Sequence, residues 1–308
     1  MSKSRIEVQS LGYVFLLLAT LSWSFVGVLV KTASGMVDST TITFLRFALG
    51  VVFLGIFILV KQHKLPMRFD FRWIWIAAIG KSCNYFFENL GLSLGYSYGN
   101  ILVVPVQTII LLAISMIVFK ERLTVRGWIA AALCLTGVLC ISWNGKPLSG
   151  LLGDSGSLIT ILFVVSAVGS AFHVLGQKKL TARMDSGEMN FSIFVVCSVL
   201  MTVPLPMQAE MTGEFTLAPI AALLALGLIT GMSFYWFSQA LRLVSFPIAI
   251  IVSNTAVLFG ILWSGIIRHD PITVYIIAGA AVFTVGLVVL NWPARKPAVV
   301  RSGKEAAL

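Results

Sequence analysis

The chain has 308 residues, of which 58% are apolar and 11% are charged, and its mean hydropathy is +0.96. Soluble domains are about 45–50% apolar and about 25% charged. A soluble core of this size cannot hide such an excess of apolar residues, so the composition excludes an ordinary soluble protein and indicates a membrane protein. In a membrane protein, the formal net charge of +10 raises the question of which side of the bilayer holds the surplus cations. We predict no nucleic-acid partner.

Ten apolar stretches in chain order are long enough to cross a bilayer, because about 20 helical residues cover about 30 Å of hydrocarbon. The first follows Lys3 and Arg5, but its run from Leu11 to Val30 exceeds the core of about 7–15 residues found in signal peptides. The remaining connections are short, which leaves no room for a separate soluble domain. The ten predicted spans are 11–30, 39–60, 73–93, 97–119, 124–142, 156–177, 188–207, 217–241, 246–267 and 272–291.

Lysine and arginine are distributed unequally between the two sides of the predicted membrane. With the N-terminus inside, 17 of the 22 cationic residues fall in cytoplasmic segments, and only Lys31, Lys146 and Arg268 fall in the opposite loops. Cytoplasmic loops of membrane proteins carry the excess of lysine and arginine. We therefore expect both termini, including a tail at residues 292–308, to be cytoplasmic.

Small and polar residues recur in the two halves with the same spacing. Spans 1 and 6 share the spacing 4, 3, 4 at a constant offset of 146, in Thr20, Ser24, Gly27, Lys31 and in Ser166, Ser170, His173, Gln177. Each half contains five spans, an odd number, so the second half enters the membrane upside down. We predict an all-α polytopic membrane protein with ten transmembrane helices as two inverted five-helix repeats, at 11–142 and 156–291. Such repeats are a transporter architecture with the substrate near the midplane.

Several short segments fit a known family pattern. Arg46 lies in Phe44-Leu45-Arg46-Phe47, and a longer run leads from Gly99 through Pro105 to the turn at Phe119–Thr124, with Gly137 following in span 5. Over about residues 11–291 the chain resembles the drug/metabolite transporter superfamily, EamA type, with two EamA repeats. Departures from the pattern of that family occur at Lys120, Thr255 and Asp270-Pro271.

This resemblance implies a secondary transporter that works by alternating access. The expected cargo is a small metabolite such as an amino acid, an amine or a drug-like amphiphile. Efflux across the cell inner membrane is the expected direction, driven by protons or by the gradient of the substrate itself. We predict no cofactor and no metal site, because the four cysteines lie in apolar stretches without metal-ligand spacing.

Four ionisable residues lie well inside predicted spans, away from the span ends: Arg46, Lys81, Glu88 and His173. Insertion of such a group costs about 2.5–3.5 kcal/mol, so it usually faces a bundle interior or a wet cavity. In span 3, Lys81, Asn84, Tyr85 and Glu88 share one helix face and form the predicted wall of a central cavity. Glu88 either meets an amine or takes up a proton, or it neutralises Lys81 or Arg46 and locks helices together.

The other candidates each have two interpretations. Arg46 either holds a substrate carboxylate or pairs structurally with Glu88 or with loop carbonyls. His173 either couples transport to protons or lines the cavity passively. Asn100 and Gln107 share a face of span 4, and Trp23, Tyr85 and Tyr235 either form an aromatic box or pack as core.

Two other classes of function compete with transport. An intramembrane enzyme needs a nucleophile with a base, or a metal cluster, but the chain has no His-Glu-x-x-His motif and only His173 among its histidines lies at membrane depth. We therefore predict that it is not an enzyme. A sensor or assembly partner would need soluble regions, and none is predicted. Spans 5 and 10 are rich in alanine and glycine, which predicts close packing within the monomer or across a homodimer.

Overall fold

Helices and the connections between them make up the part of the protein that the computed structural model describes, which comprises residues 2–94, 103–121, 123–143, 145 and 154–291. The helices of the first half are α1 (Ser2–Ser24), α2 (Val26–Ala33), α3 (Ser39–Gln62), α4 (Arg72–Leu94), α5 (Val103–Val118) and α6 (Val125–Trp143). Those of the second half are α7 (Asp154–Leu180), α8 (Ser186–Met201), α9 (Leu205–Gln208), α10 (Leu217–Leu243), α11 (Phe246–Ser253), α12 (Ala256–Arg268) and α13 (Val274–Asn291).

Length and composition identify the helices that suit a bilayer. Within the described residues five segments are long and apolar enough to cross a membrane: Gln9–Ala33, Ser39–Gln62, Leu158–Leu180, Leu217–Leu243 and Phe246–Arg268. Shorter apolar helices of 10–17 residues occur in α5, α6, α8 and α13. The predicted all-α polytopic membrane protein is confirmed.

Helix contacts follow a two-fold pattern between the halves. The contact of α4 with α7 has its counterpart in the contact of α10 with α1, and the contact of α3 with α10 has its counterpart in that of α8 with α4. The contacts of α3 with α8 and of α6 with α13 each join equivalent helices of the two halves. This pattern is what an in-plane pseudo-two-fold axis generates.

Equivalent aspartates start equivalent helices in the two halves. Asp38 caps α3 by accepting the backbone N–H groups of Thr40 at 2.7 Å and Thr41 at 3.0 Å, and Asp185 caps α8 by accepting that of Gly187 at 2.8 Å. Asp38 also accepts the N–H of Glu210 at 2.9 Å, which fastens the loop before α10. Burial raises the pKa of Asp38, but the hydrogen bonds from Thr41, Glu210 and Thr40 outweigh it and leave this pKa below its usual value.

Small residues let α6 and α13 cross in close contact within one monomer. A Cβ atom on Gly137 would lie 2.6 Å from the carbonyl oxygen of Gly279 and 2.6 Å from the backbone nitrogen of Phe283. The equivalent contact joins Gly286 to the carbonyl of Ala130 at 3.0 Å. The small-residue faces predicted in spans 5 and 10 therefore pack against one another.

Two predicted spans are interrupted. Predicted span 1 is divided at Phe25 and predicted span 9 at Asn254–Thr255. The hydroxyls of Ser24, Ser253 and Thr255 each donate to a backbone carbonyl three residues earlier, at 2.6–2.7 Å. These bonds compete with the helical ladder and favour a tightened turn. The predicted spans 11–30 and 246–267 each correspond to one apolar segment long enough to cross a membrane, Gln9–Ala33 and Phe246–Arg268, with a tightened turn inside it.

The seventh predicted span, 188–207, ends early. Its helix α8 runs only to Met201, a turn follows, and Pro204 precedes the short α9. Proline has no backbone N–H to continue the ladder of α8, which explains the stop.

Replacement of Gly137 by alanine is expected to lower the stability of the protein by about 1–3 kcal/mol. The added methyl group meets backbone atoms of α13, which cannot rotate away as a side chain can. Thermal unfolding of the purified protein in detergent measures this effect. Gly35→Ala is the matched control, because the nearest atom to its new Cβ is the oxygen of Thr32 at 3.4 Å. Equal melting temperatures for the two variants would contradict the proposed α6–α13 contact.

Candidate functional site

A cavity of about 150 Å³ lies between the two halves, lined by helices of both. Arg46, Lys81 and Glu88 are the charged residues among the described lining residues. The polar lining residues are Ser24, Asn84, Gln107, Ser170, Ser253 and Asn254, and the aromatic ones are Trp23, Tyr85, Phe234 and Phe237. Of the residues singled out from the sequence, those in the lining are Arg46, Lys81, Asn84, Tyr85, Glu88, Trp23 and Gln107.

The α4 wall is held by a short polar chain. Lys81 Nζ donates to Asn84 Oδ1 at 2.6 Å, and Asn84 Nδ2 donates to Ser166 Oγ at 2.7 Å on α7. Ser166 Oγ returns a hydrogen bond to the carbonyl of Asn84 at 3.0 Å. Asn84 therefore orients the ammonium group of Lys81 and ties α4 to α7. Close approach of these helices is possible because Gly80 and Gly169 face one another.

Arg46 projects from α3 and is almost fully buried. Its Nη1 donates to Asn89 Oδ1 at 2.7 Å, and Asn89 Nδ2 donates to Thr43 Oγ1 at 2.8 Å. The guanidinium carbon lies 3.5 Å from the ring centroid of Tyr85. These contacts fix the plane of the guanidinium at the cavity wall, while its Nε atom has no hydrogen-bond partner among the described residues.

Aromatic rings surround the two cations. Lys81 Nζ lies 3.9 Å from the centroid of Tyr85 and 4.3 Å from that of Phe234. Trp23 packs against Phe234 and Phe237 with centroid distances of 5.0 and 5.2 Å. A ring face attracts a cation by up to about 2 kcal/mol when water is excluded. The rings therefore stabilise part of the buried positive charge without neutralising it.

Both helix interruptions lie at the cavity. Ser24 and Val26 flank the first, and Ser253 and Ala256 flank the second; all four line the cavity. Asn254 Nδ2 donates to Thr108 Oγ1 at 3.0 Å, which connects the second interruption to α5. Interrupted helices at membrane depth are tolerated where they line a cavity or are buried in protein.

Two of the predicted site residues that the structure describes are not among the lining residues. His173 is fully buried beside the cavity, where its Nδ1 lies 3.1 Å from the carbonyl oxygen of Ala77 and its ring contacts Phe234. Tyr235 accepts a hydrogen bond from Lys61 Nζ at 2.9 Å, and this pair lies outside the lining. Asn100 lies outside the described residues.

A buried polar cluster follows the cavity residues along α7 and α10. Gln177 Nε2 donates to Asn190 Oδ1 at 2.7 Å, and Asn190 Nδ2 donates to Ser238 Oγ at 2.9 Å. Gln177 comes one turn after the cavity residue Val174, and Ser238 directly follows Phe237. The sequence pattern did not indicate the roles of Asn190 and Ser238. Asn190 carried one signal, a polar residue in an apolar span.

The pattern Gly-x-Ser-x-Gly occurs twice in the sequence, around Ser93 and around Ser97. In hydrolases such a serine is activated by a neighbouring base. Ser93 Oγ instead donates to the carbonyl of Leu90 at 2.8 Å in its own helix. Ser97 lies outside the part of the chain that the structure describes.

Comparisons with known proteins give a family and a fold. The model of the EamA-like transporter family matches residues 10–143 and 157–292. No sequence among the curated proteins matches the chain. One similar solved structure, titled only as a crystal structure of a protein, shares 18% sequence identity with this chain. Its TM-score is 0.76, and the alignment covers 92% of this chain and 96% of that one. At this identity the likeness shows the fold alone.

Cysteine accessibility tests the lining of the cavity. In a background without Cys83, Cys134, Cys140 and Cys197, Gln107→Cys is expected to react with a small water-soluble thiol reagent at least about tenfold faster than Thr108→Cys, since exposure governs thiol reactivity. Gln107 lines the cavity, whereas its neighbour Thr108 is 2% exposed and bonded to Asn254. Equal rates at the two positions would contradict this assignment of the α5 face.

Proposed function

We propose, from the premise that this chain belongs to the EamA-like transporter family, that it is a secondary transporter which moves a small metabolite by alternating access. The chain is a multi-pass membrane transporter of the drug/metabolite transporter superfamily. The proposed cargo is an amino acid, an amine or a drug-like amphiphile, and the proposed direction is export.

The cavity between the two halves is the observation that carries this proposal. Arg46, Lys81 and Glu88 bring charge to membrane depth, where each ionisable side chain is costly and usually serves a substrate or ion pathway. Helices of both repeats contribute to the lining. A rotation of one half against the other would therefore change access to the cavity while its own residues stay close together.

Alternating access would have to break a set of contacts between the helices. These contacts begin at Lys178, the residue after Gln177 of the buried polar cluster. Lys178 Nζ lies 3.6 Å from Glu121 Oε1, and the backbone N–H of Phe246 donates to Glu121 Oε2 at 2.9 Å. Lys61 Nζ donates to Tyr235 OH at the same end of α10. These bonds join α7, the α5–α6 connection and the start of α11. They support a state in which this end of the bundle is closed.

The orientation and boundaries follow from the sequence pattern. The end that carries Lys61 and Lys178 is the proposed cytoplasmic end, because the excess of cations lies in its loops. The repeats are placed at 11–142 and 156–291, with a cytoplasmic tail at 292–308, in the inner membrane of a cell. Protons, or the gradient of the substrate itself, are the proposed driving force.

Liposomes that contain the purified protein are expected to accumulate a labelled substrate at a rate that saturates with its concentration. A panel of labelled amino acids, aliphatic amines and one amphiphilic dye covers the proposed cargo. Empty liposomes, and liposomes with heat-denatured protein, measure leakage. If no compound moves while circular dichroism shows folded helices, the transporter proposal is contradicted.

Glu88→Gln is expected to flatten the dependence of transport on pH, because an amide cannot bind or release a proton whereas a carboxylate in the lining can. The measurement is the initial rate from about pH 4 to about pH 8.5, a range that includes the ordinary titration of both carboxyl and imidazole groups. His173→Gln is the matched variant outside the lining. An unchanged profile in Glu88→Gln would remove Glu88 as the coupling residue, and a flat profile in His173→Gln alone would assign coupling to the histidine.

A further inference from the structure

Two residues of the cavity lining carry buried polar atoms that the described part of the protein does not satisfy. Among the described lining residues, Arg46 Nε and Trp23 Nε1 are buried and have no hydrogen-bond partner. A buried donor without an acceptor costs about 1–3 kcal/mol, and more where the group is charged. Both atoms can only donate hydrogen bonds. The missing partner is therefore an acceptor.

The charged residues of the cavity lining also favour a ligand that accepts hydrogen bonds. Arginine stays protonated in proteins, so Arg46 brings a permanent positive charge into the lining. Only 1% of the surface of this residue is exposed. Lys81 adds a second basic group, also close to the ring of Tyr85, and Glu88 adds one acidic group. Among the described lining residues, basic side chains therefore outnumber acidic ones by two to one. A cationic ligand would be repelled by the guanidinium of Arg46 and would leave both donors without an acceptor.

We propose that the transported ligand carries a carboxylate, which Arg46 and Trp23 bind directly, with Lys81 as a further hydrogen-bond donor in the lining. This inference rests on the proposed transport function and narrows its cargo to organic acids and amino acids. A carboxylate offers two acceptor oxygens in the plane that a guanidinium fork matches. The network through Asn89 and Thr43 holds the guanidinium in position before the ligand arrives.

The rest of the lining specifies the other end of the ligand. Trp23, Phe234 and Phe237 form a continuous aromatic surface next to the two basic groups. A hydrocarbon or aromatic portion would pack on this surface, since apolar contacts supply most of the binding energy in such pockets. The ligand class is therefore a carboxylic acid with a compact apolar or aromatic body.

Three probes with one carbon skeleton test the inference: phenylacetate, phenylacetamide and 2-phenylethylamine. Their dissociation constants for the purified protein in detergent are obtained from thermal shift, because a ligand that binds the native state raises the melting temperature. We expect phenylacetate to bind at least about tenfold more tightly than the amine, with the neutral amide between them. Equal binding of amide and carboxylate, tighter binding of the amine, or no binding of phenylacetate would overturn the proposal.

Charge variants identify the binding groups. Arg46→Gln is expected to weaken phenylacetate binding about 10- to 100-fold. The matched control is Lys64→Gln, which removes one positive charge from an exposed residue outside the lining and should leave binding unchanged. If both variants lose the same affinity, the effect comes from net charge and the proposed site is wrong.

A variant that is expected to bind more tightly controls for misfolding, because a misfolded protein would lose affinity. Glu88→Gln removes the acidic group of the described lining, so phenylacetate is expected to bind several-fold more tightly. Weaker or unchanged binding in this variant would contradict a site built for an anion. In Arg46→Gln, circular dichroism and the melting temperature without ligand show whether the fold is retained.

These results are separable from those of the transport assay. A carboxylate that binds through Arg46 but does not cross the liposome membrane would support this inference and contradict the transporter proposal. Saturable transport of amines with no carboxylate binding would support the transporter proposal and overturn this inference.

Discussion

The placement of two basic side chains around one buried ring governs the centre of this protein. Arg46 on α3 and Lys81 on α4 both lie within 4 Å of the centroid of Tyr85. Burial of such groups is costly unless hydrogen bonds and nearby electron density compensate it. Asn84 and Asn89 supply the bonds, and the ring supplies the electron density. Much of the polar structure between α3, α4 and α7 serves this compensation.

The compensation depends on helices that approach one another closely at fixed points. Gly80 and Gly169 bring α4 against α7 where Asn84 reaches Ser166, and Gly137 and Gly279 do the same for α6 and α13. In a bilayer, small residues and hydrogen bonds stabilise helix pairs because lipid is as apolar as the side chains themselves. The two-fold contact pattern gives each half the same set of such crossings. The two halves are thus similar bodies that meet at the cavity.

The cavity itself arises where this regular packing is interrupted. The turns at Phe25 and at Asn254–Thr255 end α1 and α11 beside the lining. Serine and threonine hydroxyls draw backbone carbonyls out of the ladder at both places. Free polar backbone is tolerated there because it lies within protein and not against lipid. The same features that make these segments poor helices make them suitable walls for a polar ligand.

The sequence by itself determined the membrane location, the two repeats and most of the α4 wall. Hydropathy and a period of 3.6 residues are local properties, so Lys81, Asn84, Tyr85 and Glu88 were assigned to one face without coordinates. Only the tertiary structure decided which polar residue meets which. It paired Arg46 with Asn89, set Tyr235 against Lys61 and kept His173 out of the cavity lining. Those choices depend on how α3, α7 and α10 rotate against one another, and rotation about a helix axis is fixed by side-chain packing between distant segments.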